Sequence, residues 1–146
     1  MTAKAKGELA ESIFAARAEA LGLQISKPLG ENQAFDFHVQ SRLGTFRVQV
    51  KSAWKVARHH YLVCLTPSTL NKSSGYDVLV VYIAPLDAWY VIPAAAVEKR
   101  WLMLYPHIAK SNARYERYLE GWRTLTGDVR DDTRRVGLEI HAGREG

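Results

Sequence analysis

The chain of 146 residues is long enough to bury one substantial core and too short for two comfortable domains. Its hydrophobic fraction of 47% and charged fraction of 24% are those of an ordinary globular protein, and no apolar run approaches membrane-spanning length. A formal net charge of +5 favours a polyanionic partner, and a single cysteine, Cys64, excludes an intramolecular disulfide framework and a cysteine-based zinc site, which suits a cytoplasmic protein.

Lys4 and Lys6 are followed by no apolar block or small-residue cleavage site, so no secretion signal is expected. Residues 6–21 instead predict an amphipathic helix, with Leu9, Ile13, Phe14, Ala16, Ala20 and Leu21 near helical period and Gly22 ending it. Residues 23–27 alternate as a short strand before Pro28, and a loop occupies 30–33. Two apolar-alternating runs follow, 35–39 and 46–52, joined by a turn at Ser41-Arg42-Leu43-Gly44. The runs 61–65 and 78–84 predict strands central or nearly so in a sheet, the second continuous enough to be buried on both faces. Pro85-Leu86-Asp87 predicts a hairpin turn into a strand over 88–92, and Pro93 opens a short helical segment to Val97. Tyr115, Tyr118, Leu119, Trp122 and Leu125 fit a second amphipathic helix over 112–125. The expected organisation is one domain over 1–127 and a charged tail over 128–146.

The two runs around Gly44 carry polar groups on an otherwise apolar pattern. Strand alternation puts Phe35, Phe37 and Val39 on one face with Asp36 on the other. In the next run Phe46, Val48 and Val50 form the apolar face, and Arg47, Gln49 and Lys51 point away from it. If the runs pair, Asp36, Gln49 and Lys51 converge. A carboxylate and an amide oxygen beside a fixed ammonium can hold a hard divalent cation and position water against a phosphate.

The ordered set Gly7-x-x-x-Glu11, Pro28-x-Gly30-x-Asn32-x-x-Phe35-Asp36 and Val48-Gln49-Val50-Lys51-Ser52 resembles the PD-(D/E)XK nuclease superfamily. It is most similar to the small intron-homing branch, which also uses Gln-x-Lys, and more distantly to archaeal Holliday-junction resolvases. The similarity is strongest over the first third of the chain, continues through Tyr76-Asp77 and Trp89-Tyr90-Val91-Ile92-Pro93, and fades after about residue 100. The resemblance implies an α/β fold: a small mixed β-sheet flanked by helices, with an additional C-terminal helix. It implies a Mg2+-dependent endodeoxyribonuclease, with Mn2+ able to substitute, acting on double-stranded DNA as a homo-oligomer. Carried over residue by residue, Asp36, Gln49 and Glu11 surround the metal and Lys51 orients or activates water. Glu8, one turn before Glu11, is the neighbouring alternative. Gln49 departs from the acid found in most of the superfamily and brings no negative charge to a metal. That departure supports the alternative of a non-catalytic DNA-binding or recombination accessory protein on the same fold.

Arg47, Lys55, Arg58 and Lys72 lie near these residues in sequence and are candidates for phosphate contact, with a solvated basic surface as the competing explanation. Asp77 either lines the cleft or serves as a turn acid at a strand start. Adjacent His59 and His60 face opposite sides of a strand and cannot form a metal pair, and Cys64 reads as a core residue. Trp101, Tyr105, Tyr115, Tyr118 and Trp122 interleave with Arg100, Arg114, Arg117 and Arg123, a pattern that suits DNA, a subunit interface or plain core packing.

Overall fold

The computed structural model describes residues 1–30, 35–67, 75–108 and 113–128. The expected loop residues Asn32 and Gln33, the basic candidate Lys72 and nearly all of the expected tail lie outside the described residues.

Helix α1 (Ala3–Ala20) starts earlier than its apolar pattern predicts because Thr2 caps it, its Oγ1 accepting from Ala5 N at 3.0 Å. Gly22, at φ +81°, ends it: Gly22 N donates to Glu19 O and Leu23 N to Ala18 O, closing the last turn. The buried stripe is narrower than predicted. Ala10, Phe14 and Ala18 meet the sheet at intervals of four, while Leu9, Ala16 and Ala20 stay exposed. Two alanines let the helix approach closely, and Phe14 fills the space between them.

Five strands form the main sheet in the order β1-β2-β3-β6-β7: β1 (Gln24–Ser26), β2 (Phe37–Ser41), β3 (Gly44–Ala53), β6 (Val78–Ile83) and β7 (Ala88–Pro93). All pairings are antiparallel except β3 with β6, so the sheet is mixed. The β2–β3 hairpin turns at the expected residues, with Ser41 opposite Gly44. Every residue of β6 is buried, as its unbroken apolar run predicts. Val78, Val80 and Tyr82 face α1 in one core with Phe37, Val39, Val48 and Val50, whereas Leu79, Val81 and Ile83 face a second core.

That second core is covered by another sheet, β4-β5-β8, formed from β4 (Val56–Ala57), β5 (His60–Cys64) and β8 (Trp101–Leu104). Tyr61 and Val63 of β5 point into the core, which turns Leu62 and Cys64 outward. Cys64 is therefore exposed rather than a core residue. Its run is apolar at nearly every position, so the sequence carries no alternation from which to choose a face.

The expected helix over 112–125 is replaced by a 3-10 turn (Glu116–Tyr118) and a short helix, α2 (Arg123–Thr126). Glu120 breaks it at φ +52°. The Glu120 backbone N donates to Trp89 O, while its carboxylate accepts from Trp89 N and the Trp122 indole. The segment thus closes the β7 edge instead of continuing a helix. Of the interleaved aromatics, Trp122 and Tyr115 are core, and Trp101 is 51% exposed.

Candidate active site

The β2–β3 pair ends unevenly, and the candidate site lies at the step. Asp36 N donates to Val48 O at 2.8 Å, just before β2 begins. Two residues further along β3, the Asp36 carboxylate takes the place of a strand neighbour: its Oδ2 accepts from Val50 N at 2.7 Å. One oxygen of the acid is thereby fixed to the sheet edge. Phe35 does not share a face with Phe37, contrary to the alternation, because the chain is not yet a strand there; Phe35 packs on the second core and Phe37 on the first.

Val48 and Val50 face α1, which sends Gln49 and Lys51 to the opposite side of β3. The first half of α1 overlies the step. Ala3, Gly7, Ala10 and Glu11 from the helix, with Asp36, Gln49, Val50, Lys51 and Ser52, line one cleft of about 340 Å³. All four expected site residues, Glu11, Asp36, Gln49 and Lys51, are thus brought together. Glu11 lines the cleft, whereas Glu8 is exposed and does not. A larger groove of about 700 Å³ lies along the second half of α1, away from these residues.

Burial pushes the Asp36 carboxyl above its ordinary range, against the opposing pull of the Val50 N–H and of the Lys51 and Lys27 charges. Burial also raises Glu11, and the Asp36 charge raises it further. Two partly buried acids, one raising the other by its charge, are an arrangement that a cation relieves. The Gln49 amide donates Nε2 to Val50 O at 3.5 Å, which leaves its oxygen on the other branch. Two carboxylates and an amide oxygen form a donor set suited to a hard, oxygen-seeking ion. Among the described residues no cluster of three or more His, Cys, Asp or Glu gathers at metal-binding spacing.

Gly7 sits inside α1 with open space where a Cβ would be. Gly7→Ala is accordingly expected to stabilise the protein by up to about 1 kcal/mol, read as a higher urea midpoint; a lower midpoint would show that the cleft wall needs glycine.

The basic candidates divide. Arg47 is held by Asp77, with Nε and a terminal nitrogen at 3.2 and 3.0 Å from its two oxygens, and the backbone N of Arg47 also donates to Asp77 at 2.7 Å. Neither residue lines the cleft, so Asp77 is the strand-start acid and Arg47 its partner. Lys55 and Arg58 are exposed on the stretch from the end of β3 to the β4–β5 turn, where Arg58 adopts φ +58°. His60 lies near Tyr105, with ring centroids 5.7 Å apart and the ring planes tilted by 52°.

Sequence reasoning missed Lys27. Its Nζ lies 3.6 Å from Glu11 Oε1 and 5.5 Å from the centre of the Phe37 ring. The signal was present: Leu23, Ile25 and Lys27 share a strand face, so an ammonium continues an apolar pattern.

The site thus stands on a mixed sheet with a helix over one face, at a stepped strand pair that presents acid, amide and lysine. The sequence matches the PD-(D/E)XK endonuclease family over residues 1–124, and the chain belongs to that family. Among solved structures it is similar to the bacterial homing endonuclease I-Ssp6803I, at 25% identity and a TM-score of 0.75 over 86% of this chain and 92% of the other. It also resembles Hjc, a Holliday junction resolvase from the archaeon Archaeoglobus fulgidus, at 15% identity and a TM-score of 0.57 over 82% and 95% of the two chains; that likeness is one of fold alone. No curated protein matches closely enough to count as a relative. Among the described residues, no helix is long and apolar enough to cross a membrane.

Proposed function

We propose that the protein is a Mg2+-dependent endodeoxyribonuclease acting on double-stranded DNA, with Mn2+ able to substitute. The observation that carries this reading is the convergence of Glu11, Asp36, Gln49 and Lys51 on one cleft. Asp36, Glu11 and the Gln49 amide oxygen would hold the ion, which when bound neutralises phosphate charge and acidifies water. Asp36 is the anchoring ligand because one of its oxygens is tied to Val50 N. Lys51 orients the attacking water and stabilises the negative charge that develops as water adds to phosphorus and one P–O ester bond breaks. Lys55 and Arg58, on the exposed stretch beyond the cleft, contact flanking phosphates, and Lys72 is proposed to join them on sequence grounds. Arg47 is a weaker candidate for this role, since DNA must compete with Asp77 for it. One cleft cuts one strand, so a double-strand break calls for a homo-oligomer.

A non-catalytic DNA-binding or accessory role is the second reading, favoured by the neutral Gln49 at the position of a third acid. Calorimetry with Mn2+ or Ca2+ separates the two. Binding that disappears in Asp36→Ala supports the nuclease, and no Asp36-dependent binding supports the accessory role. Gln49→Glu is expected to bind the ion at least as tightly as wild type, because a carboxylate adds charge where the amide has none; weaker binding would count against ligation by Gln49.

A further inference from the structure

Lys27 is a mostly exposed residue that pairs with an acid of the cleft. Its side chain is 67% exposed, against 24% for its partner Glu11. It follows β1, the outer strand of the main sheet, and precedes Pro28, which restricts it to extended backbone. Extended geometry continues the alternation of β1, so Lys27 points to the α1 side together with Leu23 and Ile25. There it reaches across the Phe37 ring to Glu11, and its charge bears on Asp36 as well. An inward lysine on a sheet edge also has an ordinary use, discouraging another strand from adding to that edge. Edge protection alone requires no acid partner, however, and this ammonium lies against one of the two acids of the cleft.

Resting on the nuclease reading above, we infer that Lys27 is a built-in counter-ion of the cleft: it neutralises Glu11 while no metal is bound, yields that carboxylate to the ion, and then offers its ammonium to the DNA phosphates. Glu11 would pass from Lys27 to a divalent ion, since such an ion carries twice the charge of an ammonium and Asp36 and Gln49 would help to hold it. Lys27, on a flexible and mostly exposed stem, can swing away without moving the backbone. Lys51 differs from it in standing on β3 itself, among the cleft lining. The pair therefore divides the work: a fixed ammonium at the reacting phosphate and a movable one at the cleft margin. Lys27 is a positioning residue in this scheme and touches no reacting atom.

Its removal has two effects of opposite sign, which a structural role would not produce. In Lys27→Gln, calorimetry should show Mn2+ binding tightened on the order of threefold to tenfold, because a competing positive charge has gone. DNA binding measured with Ca2+ should weaken, with the slope of log affinity against log salt shallower by about 0.9, the value for one lost phosphate contact. Lys27→Arg, which keeps the charge, should stay close to wild type in both assays. Mn2+ affinity that is unchanged or weaker in Lys27→Gln, with wild-type binding intact and Asp36-dependent, overturns the counter-ion role and leaves the nuclease reading standing. Wild-type protein that shows no Asp36-dependent uptake of Mn2+ removes the metal site and the role of Lys27 with it.

Discussion

Asp36→Asn is expected to lower DNA cleavage by on the order of 10³-fold or more while leaving the metal-free protein at least as stable as wild type near neutral pH. The two halves of this result have separate causes. Asparagine keeps an oxygen that accepts from Val50 N, so the sheet edge stays closed, but it lacks the charge that holds a divalent ion. Burial raises the Asp36 pKa in the folded protein, so the folded state retains the proton longer than the unfolded chain does. The stability contributed by such a group is fully present below the unfolded pKa and is lost as pH rises through the folded one. Glu11 is raised as well and acts in the same direction, whereas Asp77, lowered by Arg47, acts in the opposite one. Comparing wild type with Asp36→Asn in EDTA cancels the Asp77 contribution. The comparison should shift in favour of wild type as pH falls from neutral into the carboxylate range. Asp36→Ala is the harsher variant, since it leaves Val50 N without its acceptor at a cost of about 1–3 kcal/mol. A stability loss in Asp36→Asn as large as in Asp36→Ala would show that Asp36 is primarily a structural acid.

Phe14→Ala is expected to cost about 3–5 kcal/mol, a large share of the stability of a domain this size. Phe14 is fully buried beneath α1, with ring centroids 5.3 Å from Phe37, 6.1 Å from Trp89 and 6.2 Å from Trp122. Flanked by Ala10 and Ala18, it is the one large side chain in the buried stripe of the helix. Truncation opens a cavity that two alanines cannot fill. Because Glu11 is one turn away on the same helix, cleavage should fall along with stability. Leu9→Ala, on the exposed side of that turn, should change stability by no more than about 0.5 kcal/mol. Thermal unfolding of the two variants checks the contrast, and similar losses would mean that the helix docks through a different face.

Within the strands the structure follows the side-chain alternation of the sequence; Phe35, which lies ahead of β2, departs from it. The acid, amide and lysine of the site are legible because they interrupt apolar runs at Asp36, Gln49 and Lys51, and a double-faced strand is legible in the unbroken run of β6. The outward turn of Cys64 was hidden because β5 is apolar on both sides. The broken C-terminal segment was hidden for a different reason. Tyr115, Leu119 and Trp122 do recur at helical spacing, but the hydrogen bonds that Glu120 makes to Trp89 outweigh that pattern, and they depend on a strand about thirty residues earlier in the chain. The pairing of Arg47 with Asp77 was hidden on the same ground, the carboxylate arriving through the parallel pairing of β3 with β6. Lys27 was legible in principle, as a charge on the apolar face of a strand, but its significance depends on Glu11, which only the packing of α1 brings within reach.

The most direct measurement is sequencing of DNA ends after plasmid and genomic DNA are incubated with the protein and Mn2+, with Asp36→Ala and Lys51→Ala in parallel and circular dichroism confirming that both are folded. The site described here predicts new ends with wild type and none above background with either variant. Ends that persist in both folded variants, or no excess of ends with wild type, would contradict a nuclease centre built on Asp36 and Lys51.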